Sequence, residues 1–561
     1  MKSDAGPGDP GPADESGSGK PGRRAFLALA GMAAAGAAVS CSGPGASQPG
    51  RSASAAATGQ ASGTAAPCAP SPCVADGASP AAGPADWQAL RRSLSTKTLV
   101  RPGQGRYPAA RELFDPRFDA IEPAGIAYCG NAQDVSACLA FVRRFGLPVA
   151  ARSGGHSYGG WSSSTGLIID VTRMTSFRAG AGGGTVQVGT GTRLVDFYNG
   201  LAARGLAVPG GSCPTVGVAG LTLGGGVGVL SRQYGLTSDH LEAVQIVTAD
   251  GAIRNCDAQR NSDLLWACRG GGGGNFGVAT SFTFRTRQLS SLVIFFLSWP
   301  WSQAARVVEG WQSWVPSTPD ALWSNLHLIA KPHGPLPTVQ VGGTYLGSIS
   351  GAQGLLSALY AAVGSAPASP YVAESSYQNA MMVEAGCADL SVSQCHLPTQ
   401  TADGQLAREP SYAKSDFFTR RLPSAAIQTL VSGIEQVRAV PGAASGVGAI
   451  AFDALGGAVN RVHPAATAFV HRDALFLAQY STSWRWGAPD GAVASQRAWL
   501  RTFYSSLHPY ASGQAYQNYL DPELSDWQQA YYGANYPRLA AIKASYDPHQ
   551  VFRFPQGIRP A

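Results

Sequence analysis

Two glycine-rich stretches, RSGGHSYGG at residues 152–160 and GGSCPTVGVAGLTLGGGVG at residues 210–228, decide how this chain folds. The first carries His156 and the second Cys213, each flanked by glycines. Glycine lets a backbone take unusual torsions and come close to a ligand. Successive N–H groups without side chains form a nest of dipoles that can hold a pyrophosphate. GHSYG also fits G-x-S-x-G, the turn that presents a nucleophilic serine in α/β-hydrolases, so Ser157 is a competing candidate. That turn needs a strand before it and a helix after it. LPVAA supplies the strand, but GGWSSSTG after it has no helical period. No His or acid downstream is placed to complete a triad. The weight moves from Ser157 to His156.

An imidazole and a thiol are both capable nucleophiles. Held in two glycine loops around one cofactor, His156 and Cys213 suit a flavin, which has two electrophilic ring positions at one edge. Taken singly, His156 reads as a hydrogen-bonded structural histidine and Cys213 as a buried apolar residue or a disulfide partner. Together, in these loops, they favour the cofactor reading. Other phosphate cradles fail. VGTGTRL follows a strand, but Leu194 stands at the sixth position of G-x-G-x-x-G, and no G-x-x-x-x-G-K-[ST] loop is present.

Working outward, NAQDVSACLAFVRRFG predicts a helix from Asn131, with Val135, Cys138, Leu139 and Val142 on one face and Gly146 ending it. Strands are expected in LPVAA, GLIIDVTRM (166–174), TVQVGTG (185–191) and GVATSFTFRT. RLVDFYNGLAARG (193–205) reads as helix, and LEAVQIVTADGAIRN as a hairpin turning at Asp250-Gly251. Residues 100–288 form a first α+β domain, 289–505 a Trp-rich second domain, and 506–561 a C-terminal segment. Most of the tryptophans are expected in the core.

The 561 residues are 45% hydrophobic and 13% charged, with 70 glycines and a net charge of +7. The basic residues are dispersed, so no nucleic-acid groove is expected, nor a metal site. Residues 1–41 contain Arg23 and Arg24 before an apolar run that is too short for a convincing transmembrane span; they resemble a twin-arginine export signal. AVSC resembles a lipoprotein processing site, with Ala38 where Leu is usual, which makes Cys41 a candidate lipid anchor. Residues 42–85 read as a disordered linker. An exported chain favours disulfides. With Cys41 and Cys213 set aside, the expected local pairs are Cys68–Cys73, Cys129–Cys138, Cys256–Cys268 and Cys387–Cys395.

RSGGHSYGG, GGSCPTVGVAGLTLGGGVG, LLWACRGGGGGNFGVATSFTF, YQNYLD and DPHQVFRFPQGI occur in this order and resemble the berberine bridge enzyme-like FAD-linked oxidases. The resemblance implies an α+β fold: a two-part PCMH-type FAD-binding domain, to which the C-terminal segment returns, and a substrate domain with an antiparallel sheet covered by helices. It implies FAD bound bicovalently through His156 and Cys213. Arg152, Ser153, Gly154, Gly155, Ser157, Val216, Gly217, Gly220, Val278, Tyr516 and Asn518 are the implied cofactor contacts. Tyr519, in YQNY, is the implied base for hydride transfer from an alcohol or hemiacetal carbon to the flavin. A free tyrosine has a pKa of about 10, so Tyr519 needs help; Lys414 is the candidate cation. Asp453 is a candidate to orient substrate, and Tyr158 to line the pocket. Val216 implies access for O₂, with Gly211 leaving space beside it. The expected enzyme is a secreted or cell-surface flavoprotein oxidase of a small molecule, oligosaccharide or secondary metabolite, releasing H₂O₂. Dehydrogenase activity with another acceptor and a Ser157 hydrolase are the alternatives. The oligomeric state is not legible.

Overall fold

A computed structural model describes residues 80–331, 335–440 and 446–561. The export signal, Cys41, the Cys68–Cys73 pair and nearly all of the expected linker lie outside the described residues. The linker's last two positions begin helix α1 (Pro84–Ser93), which buries Trp87 and Leu90.

The first sheet contains β1 (Leu99–Val100), β2 (Gly125–Tyr128), β3 (Val149–Arg152) and β4 (Leu167–Asp170), in the order β1-β2-β4-β3. Strands β2, β4 and β3 run parallel, and β1 is antiparallel to β2. Between β2 and β3 runs α2 (Ala132–Phe145), whose Asn131 side chain accepts from the Asp134 N–H at 2.9 Å. Gly146 ends it at φ 61°, a left-handed cap that glycine adopts without strain. The expected face of Val135, Cys138, Leu139 and Val142 is buried. No helix follows β3; residues 153–166 are turns and irregular backbone.

A second sheet, antiparallel throughout, uses β5 (Phe177–Ala179), β6 (Thr185–Gly189), β8 (Leu241–Val247), β9 (Ile253–Cys256) and β10 (Val278–Arg285), in the order β5-β6-β10-β8-β9. Strands β7 (Leu206–Ala207) and β11 (Arg287–Gln288) pair separately. The hairpin from β8 to β9 turns through Gly251 at φ 81°. Helix α3 (Leu194–Ala202) precedes the second glycine loop, and the short α4 (Val218–Leu223) lies within it.

The third sheet has seven antiparallel strands: β12 (Ser291–Trp299), β13 (Leu322–Ala330), β14 (Thr338–Tyr345), β15 (Ser369–Ser376), β16 (Ser411–Phe418), β17 (Gly446–Ala454) and β18 (Phe476–Trp484). Their order is β15-β12-β14-β13-β17-β18-β16. One face packs on helices α5 (Ala304–Trp314), α6 (Ile349–Val363), α8 (Ser424–Gln436) and α9 (Asp490–Leu507); the short α7 (Tyr377–Glu384) follows β15. Leu326, Leu328, Ile450, Phe452 and Tyr480 bury this face against Trp311, Ile427 and Phe503. Because side chains alternate along a strand, Asn325, His327, Ala451, Asp453 and Gln479 take the other face. Trp299, Trp301, Trp311, Trp314 and Trp499 are core residues, as expected.

The C-terminal segment is bonded back to the first part of the chain. Gln517 Nε2 donates to Gly270 O at 2.6 Å, and Ile558 N to Asn275 Oδ1 at 2.9 Å. Lys543 Nζ donates to Asn275 O at 2.6 Å while pairing with Asp547, and both charges are fully buried.

Cysteine chemistry departs from the expected scheme. Cys387–Cys395 is a disulfide. Cys129 and Cys138 are close, with sulfurs 3.8 Å apart, but remain thiols, as do Cys256 and Cys268. All four are buried in apolar surroundings, where a thiol packs as a small hydrophobe. Cys213, expected to be a thiol outside the pairing scheme, is disulfide-bonded.

Candidate active site

The two glycine loops, the 516–520 stretch and the inner face of the third sheet enclose one cavity of about 530 Å³. Every expected site residue except Lys414 borders it.

At one end the loops are pressed together. A Cβ on Gly154 would land on the backbone of Gly217, and one on Gly217 would land on Ser153. Gly228 is likewise held against Gly210. These glycines are therefore required for loop-to-loop approach, a different reason from the ligand approach expected of them. Gly220 has nothing within 4 Å of its Cβ direction, so there the backbone is open to the cavity. Arg152 anchors the first loop: its Nε donates to Asp170 Oδ2 at 2.6 Å and its Nη2 to Ala110 O at 2.8 Å. Its Nη1 is buried without a partner. An unspent guanidinium donor and open glycine backbone bordering one cavity match what a dinucleotide pyrophosphate requires. The residues present fit FAD.

His156 stacks on Phe114, with centroids 4.1 Å apart, and its Nε2 lies 2.8 Å from Thr215 Oγ1. Burial, helped by the Arg193 charge, lowers its pKa to about 3, so the imidazole is neutral and its lone pair available. Ser157 Oγ accepts from Trp161 N at 3.1 Å. Among the described residues no histidine bonds to Ser157, so the hydrolase alternative lacks its base. The space beside Gly211 is taken by Leu221, whose Cδ1 is 3.2 Å from where a Cβ would stand. Gly211 and Val216 both border the cavity.

At the other end Tyr519 stacks on Tyr158, with centroids 5.7 Å apart and planes within 2°. Gln479 Nε2 donates to Tyr158 Oη at 2.8 Å. Tyr516 Oη accepts from the N–H groups of Gly226 and Val227 and from Asn518 Nδ2. Asn518 also donates to Leu221 O at 3.0 Å. YQNY therefore fastens the C-terminal segment to the second glycine loop while Tyr519 faces the cavity.

The environment of Tyr519 differs from the expected one. Burial, and then the charges of Asp453, Tyr158 and Tyr516, push its pKa well above the ordinary tyrosine value. Lys414 gives no relief. Its Nζ pairs with Asp521 at 2.7 Å and Glu523 at 3.0 Å, so its charge is already matched. It pins the segment two residues beyond Tyr519, at Asp521.

Asp453 does border the cavity, and burial raises its carboxyl to about 7. Beside it lies Glu384, which the sequence did not single out. Burial and then the Asp453 charge raise Glu384 to about 7. Register explains the cluster. Asn325 pairs with Asp453, His327 with Ala451, and Ala451 with Gln479, giving one polar patch across three strands. The alternation within LWSNLHL and AFDA was visible, but the pairing of the first with the second, over 100 residues further on, was not.

Residues 123–257 match the FAD binding domain family model, and residues 515–559 the model described as berberine and berberine like. The chain is 33% identical over 480 residues to an uncharacterized FAD-linked oxidoreductase, YgaK, of Bacillus subtilis (strain 168), covering 84% of this chain and 98% of that protein. It is 29% identical over 512 residues to the chitooligosaccharide oxidase of Gibberella zeae, covering 87% and 98% of the two chains. Among solved structures, Physcomitrella patens BBE-like 1 superposes with a TM-score of 0.74 at 28% identity, covering 84% of this chain and 99% of that one. The grass pollen allergen Phl p 4, described as having glucose dehydrogenase activity, gives a TM-score of 0.74 at 27% identity over 84% and 99%.

Proposed function

The chain belongs to the berberine bridge enzyme-like FAD-linked oxidoreductases, and from that premise we propose that it is an exported oxidase of a small alcohol or hemiacetal, releasing H₂O₂. One observation carries the reading: Tyr519, stacked on Tyr158, shares a cavity with the glycine loops of His156 and Cys213. When bound, FAD would supply the hydride acceptor and relay the substrate's two electrons to O₂.

The chain's own residues supply the rest. Tyr519 takes the substrate hydroxyl proton as the carbon loses its hydride. It can do so only as its phenolate, which its raised pKa keeps scarce near neutral pH, so the step should quicken as pH rises. Gln479 fixes the Tyr158 ring, and the Tyr158 ring supports Tyr519. His156 offers Nδ1 for a covalent tether, because Nε2 is engaged with Thr215. Cys213 would offer the second tether as a free thiol, a form that its disulfide excludes. Arg152, Ser153, Gly155 and Gly220 cradle the pyrophosphate side. A twin-arginine route exports folded, cofactor-loaded protein, with Cys41 as a lipid anchor at the cell surface. A tethered cofactor is not lost by mass action where free FAD is scarce.

An oxygen electrode tests the reading against a panel of oligosaccharides and small alcohols. Substrate should consume O₂ and release peroxide in equal amounts. Turnover only with an added electron acceptor would assign the dehydrogenase reading that the Phl p 4 likeness keeps in play. No turnover and no reduction of the flavin by any panel member would remove the oxidase reading.

A further inference from the structure

The sheet-side wall of the cavity carries two carboxyl groups, Glu384 and Asp453, within electrostatic reach of one another. Glu384 is 5% exposed and its Oε1 has no hydrogen-bond partner. It ends helix α7, where the backbone carbonyls add further negative potential. The cations that border the cavity are elsewhere. Arg152 is paired with Asp170 at the first glycine loop, and Arg553 is next to Phe554, which packs on Trp161. The wall facing Tyr519 is thus acidic, with His327 on the same sheet face but no arginine or lysine among the described residues to match it. Beside it Trp323 is 4% exposed, and its Nε1–H is also buried without an acceptor.

A buried carboxylate is costly unless it is paired. A neutral polyol would give these groups hydroxyl donors but leave their charge unmatched. A protonated amine supplies both a donor and the missing charge, and the rings of Trp323, Tyr158 and Tyr519 favour a cation near their faces. The orphaned indole N–H asks for an oxygen on the same molecule.

We propose that this wall selects a substrate carrying a free, protonated amine close to the hydroxylated carbon that is oxidised: an amino alcohol or an amino sugar that is not N-acylated. This rests on the reading of the cavity as the substrate pocket of an oxidase. Glu384 is the principal partner of the ammonium, Asp453 the second, and Trp323 Nε1–H donates to a substrate oxygen. Acylating the nitrogen removes the charge and forfeits the match.

Binding to the oxidised holoenzyme, measured by calorimetry near neutral pH, tests this without turnover. Probes are glucosamine against glucose and N-acetylglucosamine, and 2-amino-1-butanol against 1,2-butanediol. Each amine should bind at least ~10-fold more tightly than its neutral counterparts, the order expected for a desolvated charge-assisted bond. Glu384→Gln should shrink that ratio about tenfold, and Asp453→Asn should shrink it as well, which covers a Glu384 variant that fails to fold. Equal or tighter binding of the neutral probes, no amine binding at all, or a ratio unchanged in both variants would overturn the proposal. If neutral sugars bind and reduce the flavin while amines do not, the oxidase reading stands and this inference falls.

Discussion

Replacing Glu384 by glutamine should change how the stability of the protein depends on pH. Burial raises this carboxyl from 4.5 to about 7. In the unfolded chain it titrates near its ordinary value. Between those two points the folded state holds a proton that the unfolded state has lost, so stability falls as pH rises through the window. At ~1.4 kcal/mol per unit, the full effect is about 3 kcal/mol, complete once pH exceeds the folded value. The group is almost fully buried, so solvent screening does little to reduce it. A glutamine in its place has no such titration. The stability difference between Glu384→Gln and the parent should therefore move by about 3 kcal/mol in favour of the variant from roughly pH 4.5 to pH 8. Urea unfolding of both holoproteins across that range measures it. Parallel curves would show that Glu384 titrates normally and that the acidic wall is not desolvated.

Three other outcomes follow from the geometry. Gly154→Ala forces a Cβ into the Gly217 backbone, so the loops must part; the purified variant should carry little flavin, read from its visible absorbance. Denatured, acid-precipitated parent protein should stay yellow. His156→Ala and Cys213→Ala should each retain flavin through the other residue, and the double variant should release it; release by Cys213→Ala alone would refute two tethers. Lys414→Met leaves Asp521 buried without its cation, so apparent stability should drop by about 3 kcal/mol while the bound flavin spectrum is kept.

What the sequence disclosed was mostly local. Asn131 and Gly146 bracket a helix because a cap and a left-handed stop act over a few residues. His156 and Cys213 stood out because glycine on both sides of a nucleophile is rare packing but apt for a cofactor. Non-local terms were hidden. Lys414 looked like a free cation until its partners Asp521 and Glu523, over 100 residues away, folded onto it. Glu384 sits at the end of an unremarkable helix and gains its chemistry from burial in the folded cavity wall and then from Asp453 on a distant strand. Gly154 and Gly217 were read as ligand-facing, yet their first demand is mutual contact, which no spacing reveals. Cys129 and Cys138 are near neighbours in sequence and space without being a disulfide.

The most direct test of the central claim is the rate at which substrate bleaches the flavin without oxygen, compared between the parent and Tyr519→Phe. Removing the phenolic oxygen removes the group that takes the hydroxyl proton, an effect of about 10²–10⁴-fold for a general base. The account predicts rapid bleaching of the parent, bleaching at least ~100-fold slower in the variant, and an unchanged oxidised spectrum. Equal bleaching rates in the two proteins would contradict it.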